Sequence, residues 1–385
     1  MGRRLPSAPP VLSGYSYVRP LGTGGFADVF LFEQNMPRRS VAVKVLLQDI
    51  VDDDVLRSFN AEADVMARLS SHPSILTVYN ASISADGRPY LVMEFCPGSY
   101  SSRERAEPLP LASVLGVAVK IACALETAHR SKVLHRDIKP SNILTTIFGG
   151  PVLSDFGIAA SLAGGGRDEL FAMSLPWSAP EVIDERTTGS IATEVWSFGA
   201  TLYSLLADRA PFDLPAGSAG PAGSAGSRAQ LKQRISRAKY TSIGRADVPP
   251  ALETILARMM GRDPASRQAS LLECAHDLQR VQRDLGLPVT ALEVAEPAWA
   301  SAGVPVDFNN VEARGPVVSD VVIASLRAGR GTRRPASQTR EGTLTDVASP
   351  RRTRLRPLAL ALLLVGAVVV GGGATFGALV LVGLI

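Results

Sequence analysis

Asp137, Lys139 and Asn142 bring a carboxylate, an ammonium and a carboxamide into one short stretch, residues 133–144, which reads Val-Leu-His-Arg-Asp-Ile-Lys-Pro-Ser-Asn-Ile-Leu. Its apolar ends suit two short strands and its polar middle suits a loop, so the three groups would surround a single point. That point suits a phosphoryl group. Upstream, Gly22, Gly24 and Gly25 form a glycine-rich turn inside the strand-like region 15–47. Glycines let backbone N–H groups approach phosphates closely. Lys44 follows, at the end of the run Val41-Ala42-Val43-Lys44. Taken singly, each feature has a plainer reading: a tight turn between strands, a solvated strand lysine, a polar loop.

The elements that must position these groups are of several kinds. A chain of 385 residues allows two or three units of about 100–200 residues each, with room for a large core. Residues 52–70 carry Val55, Leu56, Phe59, Val65, Met66 and Leu69 at helical spacing after an acidic start. Residues 90–95 form an apolar strand, 111–130 return to helical spacing, and 191–207 are apolar nearly all round, as a buried helix would be. The net charge is only +4, but arginines crowd positions 327–356, directly before an apolar C-terminal run. That asymmetry favours a membrane surface over nucleic acid. Cys96, Cys123 and Cys274 are odd in number and widely spaced, so neither a disulfide framework nor a zinc site is expected, and a reducing compartment fits. The first ten residues have no apolar segment behind their basic pair and do not read as a secretory signal.

With these motifs in order, the chain resembles the bacterial serine/threonine protein kinases of the eukaryotic-like type. His135-Arg136-Asp137 through Asn142 matches the catalytic loop H-R-D-x-x-x-x-N, and Ser154-Asp155-Phe156-Gly157 matches D-F-G. The glycine turn matches G-x-G-x-x-G-x-V except that Ala27 replaces the third glycine, and Ser178-Ala179-Pro180-Glu181 matches A-P-E. The resemblance implies an α+β, bilobal fold over residues 15–285, with a β-rich small lobe and a helical large lobe. It implies ATP as phosphoryl donor, with Gly22, Gly24, Gly25, Val29, Ala42, Lys44, Glu62, Met93, Glu94, Cys96 and Leu144 as the nucleotide-binding set. Glu62 would pair with Lys44, Met93 would be the gatekeeper, and the backbone at Glu94 and Cys96 would bond adenine. Asp137 would be the catalytic base and Lys139 would stabilise the transferring phosphoryl group. Asn142 and Asp155 would hold Mg2+ or Mn2+, oxygen ligands that suit a hard, hydrated ion completed by phosphates and water. Lys139 in Asp-x-Lys-x-x-Asn favours Ser/Thr acceptors on proteins. His135 is expected to pack beneath the loop rather than act as a base, and a metal role for His72 is disfavoured.

Several departures qualify this picture. Glu194 stands where relatives place an Asp that bonds the catalytic-loop backbone, which would require a slight backbone shift. The segment 155–181 has no hydroxyl at 164–169, so Asp168 and Glu169 would supply the charge that phosphate brings to Arg136, or the loop is simply solvated. Residues 99–110 lack the usual Gly-Gly-x-Leu start. Arg267 is the expected ion-pair partner of Glu181, and Ser174 the expected contact of Asp137 and Lys139. Residues 213–228 hold two copies of Ala-Gly-Ser-Ala-Gly, a low-complexity insert.

Residues 1–14 are expected to be disordered, and 286–357 to form a disordered, Pro- and Arg-rich linker with a short element at 317–326. Thr339, Thr343, Thr345 and Ser349 are candidate phosphorylation sites for a phosphothreonine-reading, FHA-type partner. Residues 358–385 carry no charge and exceed the ~20 residues that a membrane-spanning helix needs. The arginines before them would keep the catalytic domain in the cytoplasm, with no folded ectodomain beyond the helix. Gly373 and Gly377 allow close helix approach and a homodimer. The expected function is thus a membrane-anchored serine/threonine protein kinase with protein substrates and no nucleic-acid partner. The rivals are a membrane-anchored pseudokinase scaffold and a small-molecule phosphotransferase; A-P-E and Arg267 disfavour the latter.

Overall fold

In the computed structural model, residues 4–51, 53–101, 107–156, 174–213 and 225–295 are described. The expectations placed on Gly157, Asp168 and Glu169, on most of the 213–228 insert, and on the linker and apolar run after residue 295 lie outside them. The chain begins with β1 (Tyr15–Thr23), β2 (Ala27–Asn35) and β3 (Arg38–Leu46), followed by α1 (Asp53–Leu69) and then β4 (Val78–Ile83) and β5 (Pro89–Glu94). These strands form one antiparallel sheet in the order β1-β2-β3-β5-β4. Lys44 faces Val29 on one side and Leu91 on the other, while Ala42 faces Met93.

Both faces of this sheet are covered at its central strands, which is why β3 reads as an almost continuous apolar run rather than an alternation, while the outer strands β1 and β4 stay largely exposed. Ala42 and Met93 join the main core, whereas Val41, Val43, Val45, Phe30 and Phe32 form a second cluster closed by Leu12. Leu12 belongs to the segment expected to be disordered. Residues 4–14 instead lie against the sheet: Arg88, itself buried, donates to the Ala8 carbonyl at 2.9 Å and the Ser7 hydroxyl at 3.3 Å. The correction has a physical cause. The second apolar face must be kept from water, and the arm supplies the cover.

After β6 (Gly98–Ser99) the chain becomes mainly helical. Helix α2 (Leu111–Arg130) is followed by the short strands β7 (Ile143–Thr145) and β8 (Pro151–Leu153), which pair with β6 in the order β6-β7-β8. By length and hydropathy α2 would suit a membrane span, but 78% of its most apolar window is buried inside the protein, so it is a core helix. Next come α3 (Pro180–Ile183), α4 (Ile191–Ala207), α5 (Ala225–Arg237), α6 (Pro250–Met259) and α7 (Leu271–Asp284). Helix α4 starts at a reciprocal cap: the Ser190 hydroxyl accepts from the Thr193 amide at 3.2 Å, and the Thr193 hydroxyl accepts from the Ser190 amide at 2.9 Å. It buries Trp196, Phe198 and Tyr203, and Trp196 stacks on Phe212 at 5.6 Å. Gly199 is required there, since a Cβ would come within 2.7 Å of Met259 on α6.

The domain also extends past its expected end at residue 285. Residues 286–295, assigned in advance to a disordered linker, run back over α2 as a strap. Gln279 donates to the Thr290 carbonyl at 2.7 Å, the Glu293 carbonyl lies 2.7 Å from His72 Nε2, and the Ala295 amide donates to the Thr127 hydroxyl at 3.3 Å. Leu287, Leu292 and Val294 pack on the main core, so burial overrides a composition that suggested disorder.

Candidate active site

The large lobe presents Asp137 on a loop that is held from below. His135 is fully buried between the loop and β8. Its Nδ1 accepts from the Asp137 amide at 3.2 Å, which leaves Nε2 to donate to the Ser154 carbonyl at 2.9 Å. Its ring rests on Phe156 at 4.6 Å. From α4, the Thr201 hydroxyl donates to the Ile138 carbonyl at 3.2 Å, and Glu194 accepts the Arg136 amide at 2.6 Å. The other Glu194 oxygen accepts from His129 Nε2 at 2.6 Å. Glutamate therefore makes the bond that the resemblance assigns to aspartate, its extra methylene spanning both partners. Arg136 has φ +66°, a conformation that a non-glycine residue keeps only when the surroundings over-determine it.

Above this floor the predicted groups converge. Lys139 Nζ lies 2.7 Å from Asp137 Oδ2, and the Asn142 side-chain amide donates to the same oxygen at 2.9 Å and to the Asp137 carbonyl at 2.8 Å. Ser174 donates to Asp137 Oδ1 at 2.5 Å and accepts from Lys139 at 3.1 Å. In the small lobe, Lys44 Nζ bridges Glu62 at 3.1 Å and Asp155 at 3.0 Å. Burial alone would push the Lys44 pKa down, but Asp155 and Glu62 more than offset this and raise it. Lys44 in turn holds the Asp155 carboxyl below its usual range against partial burial. Burial pushes the Glu62 carboxyl up, Lys44 opposes this only in part, and repulsion from Asp155 adds to it.

The residues that the resemblance assigns to the nucleotide lie mostly against the main core. Ala42 and Met93 are buried in the main core, and Val29, Cys96 and Leu144 pack against it. Glu94 ends β5, its amide donating to the Thr77 carbonyl at 2.9 Å. Burial, with a smaller contribution from Glu94, raises the Cys96 thiol to about 12. At the turn, a Cβ on Gly24 would sit 3.1 Å from the Ala27 carbonyl, whereas Gly22 and Gly25 have no protein atom within 4 Å of that position. A side chain at 24 would thus crowd the Ala27 carbonyl, whereas the protein's own packing leaves space at 22 and 25. Ala27 lies in β2, opposite Leu46 and without a positive φ, so the missing third glycine costs no backbone strain. For a divalent ion, the Asn142 nitrogen is spent on Asp137, which leaves Oδ1 to serve beside the Asp155 carboxylate. Among the described residues there is no group of three or more His, Cys, Asp or Glu that could hold a metal, so the remaining ligands would have to be phosphate and water.

Glu181 and Arg267 form the expected pair, at 2.6 and 2.9 Å, and it is buried. Arg267 also donates to the carbonyls of Ala192 and Gly261, each at 2.8 Å. Sequence reasoning missed His129, whose burial on an apolar helix gave no polar pattern to read. It also missed Asp28, although the period of two placed that charge on the same face as Phe30 and Phe32, a signal of a buried, partnered group.

Comparison with known proteins agrees with this geometry. The serine/threonine-protein kinase PknK of Mycobacterium tuberculosis is 38% identical over 291 residues, covering 74% of this chain and 25% of its own. The serine/threonine-protein kinase PknJ of the same organism is 35% identical over 279 residues, covering 70% and 46%. The serine/threonine-protein kinase PrkC of Bacillus subtilis is 30% identical over 271 residues, covering 69% and 39%. The chain thus spans between a quarter and about half the length of these curated relatives. Residues 15–278 match the model of the protein kinase domain, and the chain belongs to that family.

Proposed function

We propose that the chain is a non-specific serine/threonine protein kinase that transfers the γ-phosphoryl group of ATP to Ser or Thr hydroxyls of proteins. The observation that carries this reading is the Asp137–Lys139–Ser174 cluster. A hydroxyl of the chain itself donates to the Asp137 carboxylate while accepting from the Lys139 ammonium. An acceptor serine that replaced Ser174 would meet a base for its proton and a cation beside its oxygen, as general-base and electrostatic catalysis require. Lys44, oriented by Glu62 and Asp155, would neutralise donor phosphates, and the open glycine turn would admit them. Mg2+ held by Asn142 and Asp155 would supply further charge neutralisation when bound. The features that suggested a scaffold lose weight, because Ala27 adopts ordinary strand geometry and Glu194 reaches the loop backbone.

The reading includes a single C-terminal membrane helix at 358–385 with the catalytic domain on the cytoplasmic side, supported by the charge-free run and the arginines before it. A homodimer through the Gly373–Gly377 face, and an FHA-type partner for phosphorylated linker threonines, extend it. The test is transfer from labelled ATP by the full chain in lipid, with and without Mg2+, beside its Asp137→Asn counterpart. Phosphoserine or phosphothreonine that depends on Asp137 is the expected result; label that persists in the variant would overturn it.

A further inference from the structure

The turn at Gly22–Gly25 has few supports inside its own sheet. The Gly24 amide donates to the Ala27 carbonyl at 2.8 Å, and β1 shifts register between Pro20 and Gly22. Gly22 and Thr23 still pair with Val29 and Asp28, and the Leu47 amide donates to the Phe26 carbonyl at 2.9 Å; a further support, from outside the sheet, comes from the N-terminal arm. Asp28, directly after the turn, is fully buried. Its Oδ2 accepts the Ser7 amide at 2.7 Å and its Oδ1 accepts from Arg4. The same Arg4 guanidinium donates to the Gly24 carbonyl at 3.3 Å, so one side chain ties the turn to the strand that leaves it. The arm is anchored in turn at Arg88, which holds Ser7, Ala8 and Asp86. Burial would raise the Asp28 carboxyl, but the Ser7 amide and Arg4 outweigh it and hold it below the usual range. A buried carboxylate stripped of such partners is costly, so arm and turn are coupled.

We propose that residues 4–8 are a positioning element for the glycine turn, with Arg4 and the Ser7 amide holding Asp28 and Gly24 in the geometry that receives the phosphates of the donor nucleotide. Arg4 is a positioning residue, acting through the turn backbone. The claim rests on the kinase reading for the identity of the ligand, but not for the coupling of arm to turn.

The test uses the full chain in lipid, comparing wild type with Arg4→Ala, Arg4→Lys and Asp28→Asn. Arg4 is partly exposed, so its truncation leaves the core intact. Arg4→Ala should speed hydrogen exchange at the Gly24 amide and raise KM for ATP by about three- to tenfold, the range of one or two lost hydrogen bonds, with a smaller change in kcat. Arg4→Lys should recover most of the loss. In the Asp28→Asn background, Arg4→Ala should add little to either quantity. Unchanged exchange at Gly24 in Arg4→Ala would overturn the proposal, as would faster exchange with an unchanged KM. If the wild type transfers no phosphate, the kinase reading falls, and the exchange comparison alone decides whether the arm holds the turn.

Discussion

The two halves of the site are supported in opposite ways. The Asp137 loop rests on buried groups from three elements: His129 on α2, Glu194 and Thr201 on α4, and the Ser154 carbonyl beyond β8. The glycine turn is held by backbone pairing within its sheet and, from outside it, by an arm whose Arg4 side chain is 44% exposed. Buried hydrogen bonds that close on one another fix a geometry tightly, because losing one leaves a desolvated group without a partner. The clamp on the turn has one exposed member, since Arg4 reaches into solvent while its partner Asp28 stays buried. The proposed base should therefore be rigidly placed, while the glycine turn should be the more adjustable of the two.

Removing the proposed catalytic carboxylate should have the largest effect. Asp137→Asn should lower kcat by about 10²–10⁴-fold while ATP binding persists; steady-state rates and nucleotide titration check this. Next, Arg267→Ala strands the buried Glu181 carboxylate. It should destabilise the protein by about 3–5 kcal/mol, as measured by denaturant unfolding. A loss near zero would mean that the large lobe is not held as a buried network. Glu194→Ala sharpens the comparison further. It leaves the Arg136 amide and His129 without their partner, and should cost about 1–3 kcal/mol of stability. It should also lower kcat with little change in KM for ATP, the reverse of the arm variants. Equal effects on both parameters would dissolve the distinction between the two supports.

Two smaller effects follow from titration. Arg88 holds the Asp86 carboxyl at about 2, so its contribution to anchoring the arm is present above the ordinary value of 3.8 and is lost as pH falls through about 2. Asp28, whose carboxyl is also lowered, adds a loss of the same sign. A spin label at exposed position 5 should be insensitive to pH between 8 and 5 and gain mobility below that range. At the junction of the lobes, the Cys96 thiol raised to about 12 should hold roughly a thousandfold less thiolate at pH 8 than a thiol at 9.0, so its alkylation should be slow and climb with pH beyond 9. Because the unfolded thiol ionises first, this group also costs stability as pH rises past 9.

Much of the site was legible in the sequence. Asp137, Lys139 and Asn142 share one loop, so their convergence needs only local geometry. The Lys44–Glu62 pair spans β3 and α1 and was read through the resemblance, and the structure brings the two within 3.1 Å. The limits of helix α4 matched those expected, because an apolar run bounded by a Ser cap and an αL Asp208 is a local signal. The arm and the strap were not legible. The arm is rich in proline, and the strap, although it carries Leu287, Leu292 and Val294, shows no sustained period, so only the apolar faces they cover make them ordered.

The sequence by itself singled out the polar groups of the Asp137 loop and the main strand and helix segments, because motif spacing and hydrophobic period are properties of neighbouring residues. Only the tertiary structure decided what holds those groups in place: that Glu194 reaches both Arg136 and His129, that Arg4 reaches Asp28 and Gly24, and that residues 286–295 return to His72. Such contacts join residues far apart in the chain, and the free energy that selects them lies in burying apolar surface and satisfying desolvated polar groups at once. No local pattern records that balance.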